Sequence, residues 1–217
     1  MTFDYTKARE TMVEQQIRPW DVLDGRVLDV LVRMPREAFV ADRHRALAYA
    51  DMELPIGHGQ TMFKPVLEGR ALQALELQGG EAVLEIGAGS GFLAACLGAL
   101  AREVTSVERH ADLAEAAGDR LRVQGLGNVS VVAADAFAWE PARQFDAICV
   151  SGAVDTVPSR FLEWLRPGGR MFVVRGRAPA MEAVLLHNDV NGLRYESLFE
   201  TDLPYLAGAE PAAEFKF

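Results

Sequence analysis

The sequence predicts an α/β protein built on a doubly wound, mostly parallel sheet with added N-terminal helices. Three observations lead to this prediction. Short apolar segments alternate with helical patterns from residue 82 to residue 174. A glycine-rich turn at residues 87–91 follows the first apolar segment, and acidic residues stand at the ends of the first three. Parallel strands joined by helices are covered on both faces, and for that reason they read as continuous apolar runs.

The N-terminal part of the chain predicts helices followed by an irregular segment. Apolar residues at helical spacing within residues 4–33 predict two helices, the second of them capped by Asp21, and a short third helix begins near Arg36. Residues 50–65 contain two Gly and two Pro, a composition that favours a shaped loop over a regular element. Residues 65–78 return to helical spacing.

Strands and helices then alternate. The predicted strands are residues 82–86, 103–107, 129–133, 145–150 and 170–174, the last of them after the turn Pro167-Gly168-Gly169. The predicted helices are residues 92–101, 111–124 and 158–165. Two further strand-like runs, residues 183–187 and 214–217, follow this alternating part.

Composition excludes several classes of partner. The chain has 217 residues, of which 50% are hydrophobic, and a formal net charge of −9. A negative field repels nucleic-acid phosphates and anionic membrane surfaces, so we expect neither as a partner. No apolar run is long enough to span a bilayer and no signal segment is recognisable, which predicts a cytoplasmic protein. Cys96 and Cys149 stand far apart in apolar surroundings, which predicts buried thiols and no metal site.

The glycine-rich turn and the acids around it predict a cofactor site. Ligands of an open parallel sheet bind beyond the carboxyl ends of its strands, and residues 87–91 lie at such an end. Glu108 follows Gly87 by about 20 residues, the spacing of an acid that binds a ribose hydroxyl pair. Asp135 follows the third strand, where it either approaches an adenine ring or caps a helix.

Two cofactor classes compete for this geometry. A dinucleotide fingerprint requires a third glycine where Phe92 stands, and the Glu85 carboxylate would oppose a pyrophosphate. The same carboxylate suits the ammonium or sulfonium end of S-adenosylmethionine, which we therefore expect as the cofactor. A tight strand-to-helix turn without a ligand is the structural alternative. The predicted cofactor-binding residues are Glu85, Gly87, Ala88, Gly89, Gly91, Glu108, Arg109, Asp135 and Ala136.

Four segments together resemble the protein-L-isoaspartate O-methyltransferases. They are residues 35–40, the stretch Leu-Pro-Ile-Gly-His-Gly-Gln-Thr at 54–61, residues 83–92 and residues 105–109. The second is more specific than the glycine turn, which many methyltransferases share. The resemblance runs from about Met12 to Arg177 and implies a Rossmann-like methyltransferase fold. It also implies methyl transfer from S-adenosylmethionine to an abnormal aspartyl carboxylate in a damaged protein or peptide.

The resemblance further implies one domain with three parts. Residues 1–64 would form an N-terminal helical and acceptor-side segment, residues 65–177 the cofactor-binding core, and residues 178–217 the C-terminal strands. It also implies catalytic roles for Gln60, Thr61 and Phe63, and substrate contacts for Ile56, His58, Met62, Lys64, Gly152 and Ala153.

Departures from the family pattern fall mainly around the methyl acceptor. Phe63 stands where the family has a serine near the transferring methyl, and Gly152-Ala153 replaces an Ala-Ala pair. A carboxylate acceptor is already ionised at neutral pH, so it requires positioning and a dry pocket and no general base. Because of Phe63, two alternatives stay open: a divergent methyltransferase whose acceptor is another group or a small molecule, and an inactive module that binds S-adenosylmethionine.

Overall fold

The computed structural model describes residues 3–212. Its α-helices are α1 (Tyr5–Met12), α2 (Gly25–Arg33), α3 (Pro65–Leu75), α4 (Phe92–Leu100), α5 (Ala111–Val123) and α6 (Ser159–Glu163). Its strands are β1 (Leu54–Gly57), β2 (Gln60–Met62), β3 (Ala82–Ile86), β4 (Glu103–Glu108), β5 (Val129–Ala133), β6 (Phe145–Val154), β7 (Leu165–Arg177), β8 (Ala180–Asp189) and β9 (Gly192–Thr201). A π-helical turn, Val13–Ile17, and 3-10 turns at Arg18–Trp20, Arg36–Phe39 and Asp42–Leu47 complete the N-terminal part.

Seven strands form one sheet in the order β5-β4-β3-β6-β7-β8-β9. The pairs from β5 to β7 are parallel, and β7-β8 and β8-β9 are antiparallel hairpins. The predicted doubly wound, mostly parallel sheet is therefore confirmed. The chain runs outward in one direction through β4 and β5 and in the other through β7, so the order reverses between β3 and β6. A crevice for a ligand opens at such a reversal.

The N-terminal helices pack against one face of this sheet. The side chain of Asp24 accepts a hydrogen bond from Arg26 N and caps α2. The predicted cap, Asp21, was wrong, because Asp21 has a left-handed backbone (φ 60°) that ends the preceding 3-10 turn. The predicted short helix near Arg36 is confirmed as a 3-10 turn.

Residues 50–65 contain an antiparallel hairpin, β1-β2, where the composition predicted an irregular loop. The prediction failed because the two glycines serve the turn of the hairpin. Gly57 (φ 107°), His58 (φ 52°) and Gly59 (φ 72°) all have left-handed backbones, which glycine adopts without strain. Pro55 lies in a two-stranded ribbon, where a missing N–H is tolerated.

Strands β6, β7 and β8 are longer than their predicted ranges, and β9 was not predicted. The strand predicted at 170–174 extends over Leu165–Arg177. It includes the Pro-Gly-Gly turn as an irregularity. Before the turn Leu165 lies opposite Phe145, and after it Arg170 lies opposite Ala147. The helix predicted at 158–165 is shortened to Ser159–Glu163 as a result. The run predicted at 214–217 lies outside the described residues.

Apolar side chains fill both faces of the sheet. One cluster joins α1–α4 to the sheet, and the other lies under α6. Cys96 and Cys149 are buried free thiols in the first cluster, as predicted. Within residues 3–212, no helix is long and apolar enough to cross a membrane. The division at residues 64 and 177 stays a prediction.

Candidate active site

A cleft opens at the carboxyl ends of β3 and β4, where the strand order reverses. It encloses about 770 Å³ when the open solvent at its mouth is included. The glycine turn after β3 forms its floor, the β1-β2 hairpin forms one wall, and residues 206–207 close the opposite side. Parts of the chain that are distant in sequence therefore converge on one cavity.

The glycine turn has a left-handed backbone at all three glycines: Gly87 (φ 98°), Gly89 (φ 50°) and Gly91 (φ 87°). Gly87 and Gly89 line the cleft. A Cβ added at Gly89 would lie 2.9 Å from Ile56 Cδ1, so the hairpin wall packs directly on the turn. Gly91 does not line the cleft; a Cβ there would lie 3.1 Å from Ala117 Cβ, and this glycine allows the turn to pack on α5.

Glu85 is fully buried at the inner end of the cleft. Its carboxylate accepts a hydrogen bond from Ser106 Oγ and a second from Ser151 Oγ at 3.3 Å. Burial raises the pKa of Glu85 to about 8, although both serines lower it. A buried carboxylate with so little compensating charge is suited to a cationic group of a ligand.

Glu108 and Asp135 line the same edge of the cleft. Glu108 accepts hydrogen bonds from Gly89 N (2.8 Å) and His110 N (2.9 Å), which fix its side chain and leave further lone pairs free. Asp135 Oδ1 accepts from the backbone N–H two residues later at 2.9 Å, and Oδ2 lies 3.7 Å from Arg109 Nε. Asp135 therefore caps the turn that follows β5, and it also lines the cleft.

Five predicted acceptor-side residues line the opposite wall: Ile56, Gln60, Thr61, Met62 and Phe63. The Thr61 hydroxyl donates to Glu53 Oε2 at 3.2 Å. The Phe63 side chain is buried, and its carbonyl accepts a hydrogen bond from the Arg36 guanidinium. This wall is mostly apolar, with the Gln60 amide as a polar group.

His58 and Lys64 lie outside the lining, although both were predicted to contact the substrate. The His58 ring stacks on His110 with centroids 4.0 Å apart, and His58 Nε2 lies 2.9 Å from Asp112 Oδ2. His58 therefore ties the hairpin tip to the start of α5. Lys64 precedes α3 with its side chain exposed.

Gly152 and Ala153 also lie outside the lining, because residues 204–206 cover them. Ala153 N donates to Pro204 O at 3.0 Å, and Leu206 N donates to Ala153 O at 2.8 Å. A Cβ at Gly152 would lie 3.0 Å from the Leu206 backbone. Leu206 consequently occupies the position beside the cleft that was predicted for these two residues.

Several lining residues were not predicted. They include Glu68, His110, Ser151, Leu206 and Ala207. Ser151 follows the predicted strand 145–150 directly, so its position at a strand end was a usable signal. Glu68 and Leu206 have no such signal, since only the packing of α3 and of the C-terminal segment brings them to the cleft. Among residues 3–212, no group of three or more His, Cys, Asp and Glu could hold a metal ion.

The lining fits S-adenosylmethionine. Glu108 has free lone pairs for a ribose hydroxyl pair, Asp135 and Phe137 border a space for a base, and Glu85 provides buried negative charge for a cation. Gly87 and Gly89 permit close approach of a ligand to the backbone.

Comparison with known proteins decides the family. The model of the family "Protein-L-isoaspartate(D-aspartate) O-methyltransferase" matches residues 7–192. The chain belongs to this family. It is 41% identical to protein-L-isoaspartate O-methyltransferase 1 of Rhodopseudomonas palustris over 95% of this chain and 85% of the relative. It is 39% identical to a protein of the same name from Syntrophobacter fumaroxidans, over 90% of this chain and 92% of the relative.

A solved structure shares the fold of this family member. It is a Plasmodium falciparum protein assigned as a protein-L-isoaspartate O-methyltransferase, in complex with S-adenosyl-L-homocysteine. The two superpose with a TM-score of 0.78 at 17% identity, over 94% of this chain and 99% of that one. The predicted family, the fold class and the enzyme class, a methyltransferase, are confirmed.

Proposed function

We propose that this protein transfers the methyl group of S-adenosylmethionine to the free carboxylate of an isoaspartyl residue in a protein or peptide. Membership of the family supports this function. The observation that carries it is the convergence of the glycine turn, Glu85, Glu108 and the Gln60–Met62 strand on one cleft. A donor side and an acceptor side thus face the same space.

The donor side positions S-adenosylmethionine, which supplies a methyl group activated by attachment to a sulfonium. Glu108, fixed by two backbone N–H groups, is placed for the ribose hydroxyls. With the cationic ligand bound, an ionised Glu85 would supply negative charge at the buried inner end of the cleft. Asp135 and Ala136 border the space for the base. S-adenosylmethionine held by these residues would share the cleft with the residues of the hairpin wall.

The acceptor side orients a nucleophile that requires no proton transfer. A carboxylate with an ordinary pKa near 4 is ionised at neutral pH, and its charge is cancelled as the methyl is transferred. Ile56, Met62 and Phe63 exclude water, which would stabilise the separated charges. The Gln60 amide is positioned to donate to a carboxylate oxygen, and the engaged Thr61 hydroxyl stiffens β2.

Transfer of labelled methyl to a synthetic isoaspartyl peptide tests this proposal. We expect a base-labile methyl ester on the isoaspartyl peptide and none on the same peptide with an ordinary aspartate. Glu103→Gln serves as a variant control, because its salt bridge with Arg143 lies on the surface at the amino end of β4. Equal labelling of both peptides, or labelling of neither, would overturn the proposal.

Phe63 favours a second candidate, a small-molecule acceptor with an apolar surface. The buried ring fills the position of the family's serine, and no hydroxyl at position 63 can contact a carboxylate. Phe63→Ser separates the two candidates. An isoaspartyl acceptor predicts a lower KM for the peptide in this variant, whereas an apolar small-molecule acceptor predicts no gain with the peptide. A cytoplasmic location and the absence of nucleic-acid and membrane partners stay predictions.

A further inference from the structure

Glu68 brings a second buried carboxylate to the cleft. It lies in the first turn of α3, is 1% exposed and lines the same cavity as Glu85. Its Oε2 accepts a hydrogen bond from Arg36 Nη1, and both side chains are buried. The sequence gives no reason to place Glu68 here, because no strand end or glycine turn adjoins it.

Arg36 uses its remaining donors elsewhere. Its Nε donates to Ala48 O at 2.7 Å, its Nη2 donates to Phe63 O, and its guanidinium lies 4.8 Å from the centroid of the Phe92 ring. Within residues 3–212, the side-chain hydrogen bonding of Glu68 goes to Arg36 through Oε2. The second oxygen, Oε1, is therefore available to a group in the cleft, since a carboxylate has about four acceptor sites.

When Glu68 and Glu85 are both ionised, the inner end of the cleft contains more negative than positive charge. Glu68 and Glu85 are both buried there, and the single guanidinium of Arg36 lies against Glu68. The negative charge of Glu68 adds to burial in raising the pKa of Glu85. Arg36 itself does not line the cleft, and the guanidinium that does, that of Arg109, is half exposed and lies beside Asp135 at the nucleoside edge. Two carboxylates and one cation leave a place for one further positive charge.

We propose that Glu68 Oε1 and Glu85 together bind the ammonium group of the methionine part of S-adenosylmethionine. This inference rests on the proposed methyl donor and assigns a donor-binding role to a residue of α3. Arg36 acts as a positioning residue: it holds Glu68 through one nitrogen and the Phe63 carbonyl through another, so the donor and acceptor walls are fixed relative to each other.

Calorimetric titration with three ligands tests the contact without turnover. S-adenosylhomocysteine carries the ammonium and the carboxylate of the amino-acid part, its decarboxylated analogue carries the ammonium alone, and 5′-methylthioadenosine carries neither. Glu68→Gln should weaken the first two ligands by roughly 10- to 100-fold, the size of one charge-assisted hydrogen bond. The affinity for 5′-methylthioadenosine should change by less than about 2-fold, because this ligand has no group that reaches Glu68.

Two further variants keep the test decisive. Arg36→Gln/Glu68→Gln removes both buried charges together, so it remains usable if the single variant does not fold. Glu81→Gln is the matched control, since Glu81 pairs with Arg170 at 2.6 Å, is largely buried and lies outside the cleft lining. We expect the double variant to lose the two ammonium ligands selectively and the control to bind all three like the wild type.

Three results would overturn the inference: equal weakening of all three ligands, no weakening in either Glu68 variant, or the same selective loss in Glu81→Gln. If the wild type binds none of the ligands, the proposed donor itself is wrong. If the wild type binds them and the Glu68 variants bind them with the same affinity, the proposed function stands and only the role of Glu68 is refuted.

Discussion

Glu85→Gln should slightly lower the stability of the ligand-free protein at acidic pH and raise it at alkaline pH. Glu85 is fully buried, and burial raises its pKa from 4.5 to about 8. Between pH 4.5 and about pH 8, Glu85 is therefore protonated in the folded protein, whereas it has lost its proton in the unfolded chain. The free energy of unfolding falls as the pH rises through this range, because the folded state binds more protons than the unfolded state.

The magnitude follows from the two pKa values. At roughly 1.4 kcal/mol per unit, Glu85 removes about 3 kcal/mol of stability at pH 7 and about 5 kcal/mol at pH 8 and above. Glutamine retains an oxygen for the serine hydroxyls, but its buried amide N–H groups lack an acceptor, which costs about 1 kcal/mol at every pH. Glu85→Gln should thus be slightly less stable than the wild type at pH 5 and about 4 kcal/mol more stable at pH 8.

Thermal unfolding of both proteins from pH 5 to pH 9 measures this difference. A change of 1 kcal/mol moves the Tm of a chain this long by roughly 2–4 °C, so we expect a gain of about 10 °C at pH 8. Glu81→Gln is the opposite control: burial raises the pKa of Glu81, but its hydrogen bonds with Arg170 lower it overall, so this variant should lose stability at neutral pH. A Tm difference for Glu85→Gln that does not vary with pH would refute the reasoning.

Three glycine substitutions provide further predictions. Gly89→Ala should weaken S-adenosylhomocysteine binding by at least about 10-fold, since its Cβ would lie 2.9 Å from Ile56 on a backbone with φ 50°, and calorimetry measures this loss. Gly98→Ala should lower the Tm by roughly 2–4 °C, because a Cβ 2.4 Å from Val129 Cγ2 overpacks the interface by more than the helix propensity gains. Gly118→Ala, where a Cβ meets nothing within 4 Å, should instead raise the Tm by a similar amount. Equal Tm changes at positions 98 and 118 would contradict the packing argument.

The elements that were predicted most accurately depend on local patterns. The strands at 82–86 and 129–133 were assigned to the residue, because short apolar runs bounded by turn residues specify parallel strands, both in the buried β3 and in the partly exposed edge strand β5. The β1-β2 hairpin was missed, since its glycines signalled a loop when they in fact form the turn between two short strands. The extra length of β6 depends on contacts far along the chain, where the segment at 204–206 pairs with Ala153.

By itself, the sequence determined the donor half of the cleft. The glycine turn, Glu85, Glu108 and Asp135 all lie at or just beyond the carboxyl ends of strands, and parallel strands bring these ends to one edge whatever the rest of the chain does.

Only the tertiary structure decided what faces this donor edge. It placed Leu206 over Gly152, moved His58 out to a contact with Asp112, and brought Glu68 to the cleft in a buried pair with Arg36. Such contacts join segments that are tens of residues apart, and they depend on how helices pack on a finished sheet. No local pattern of apolar spacing or turn residues specifies them.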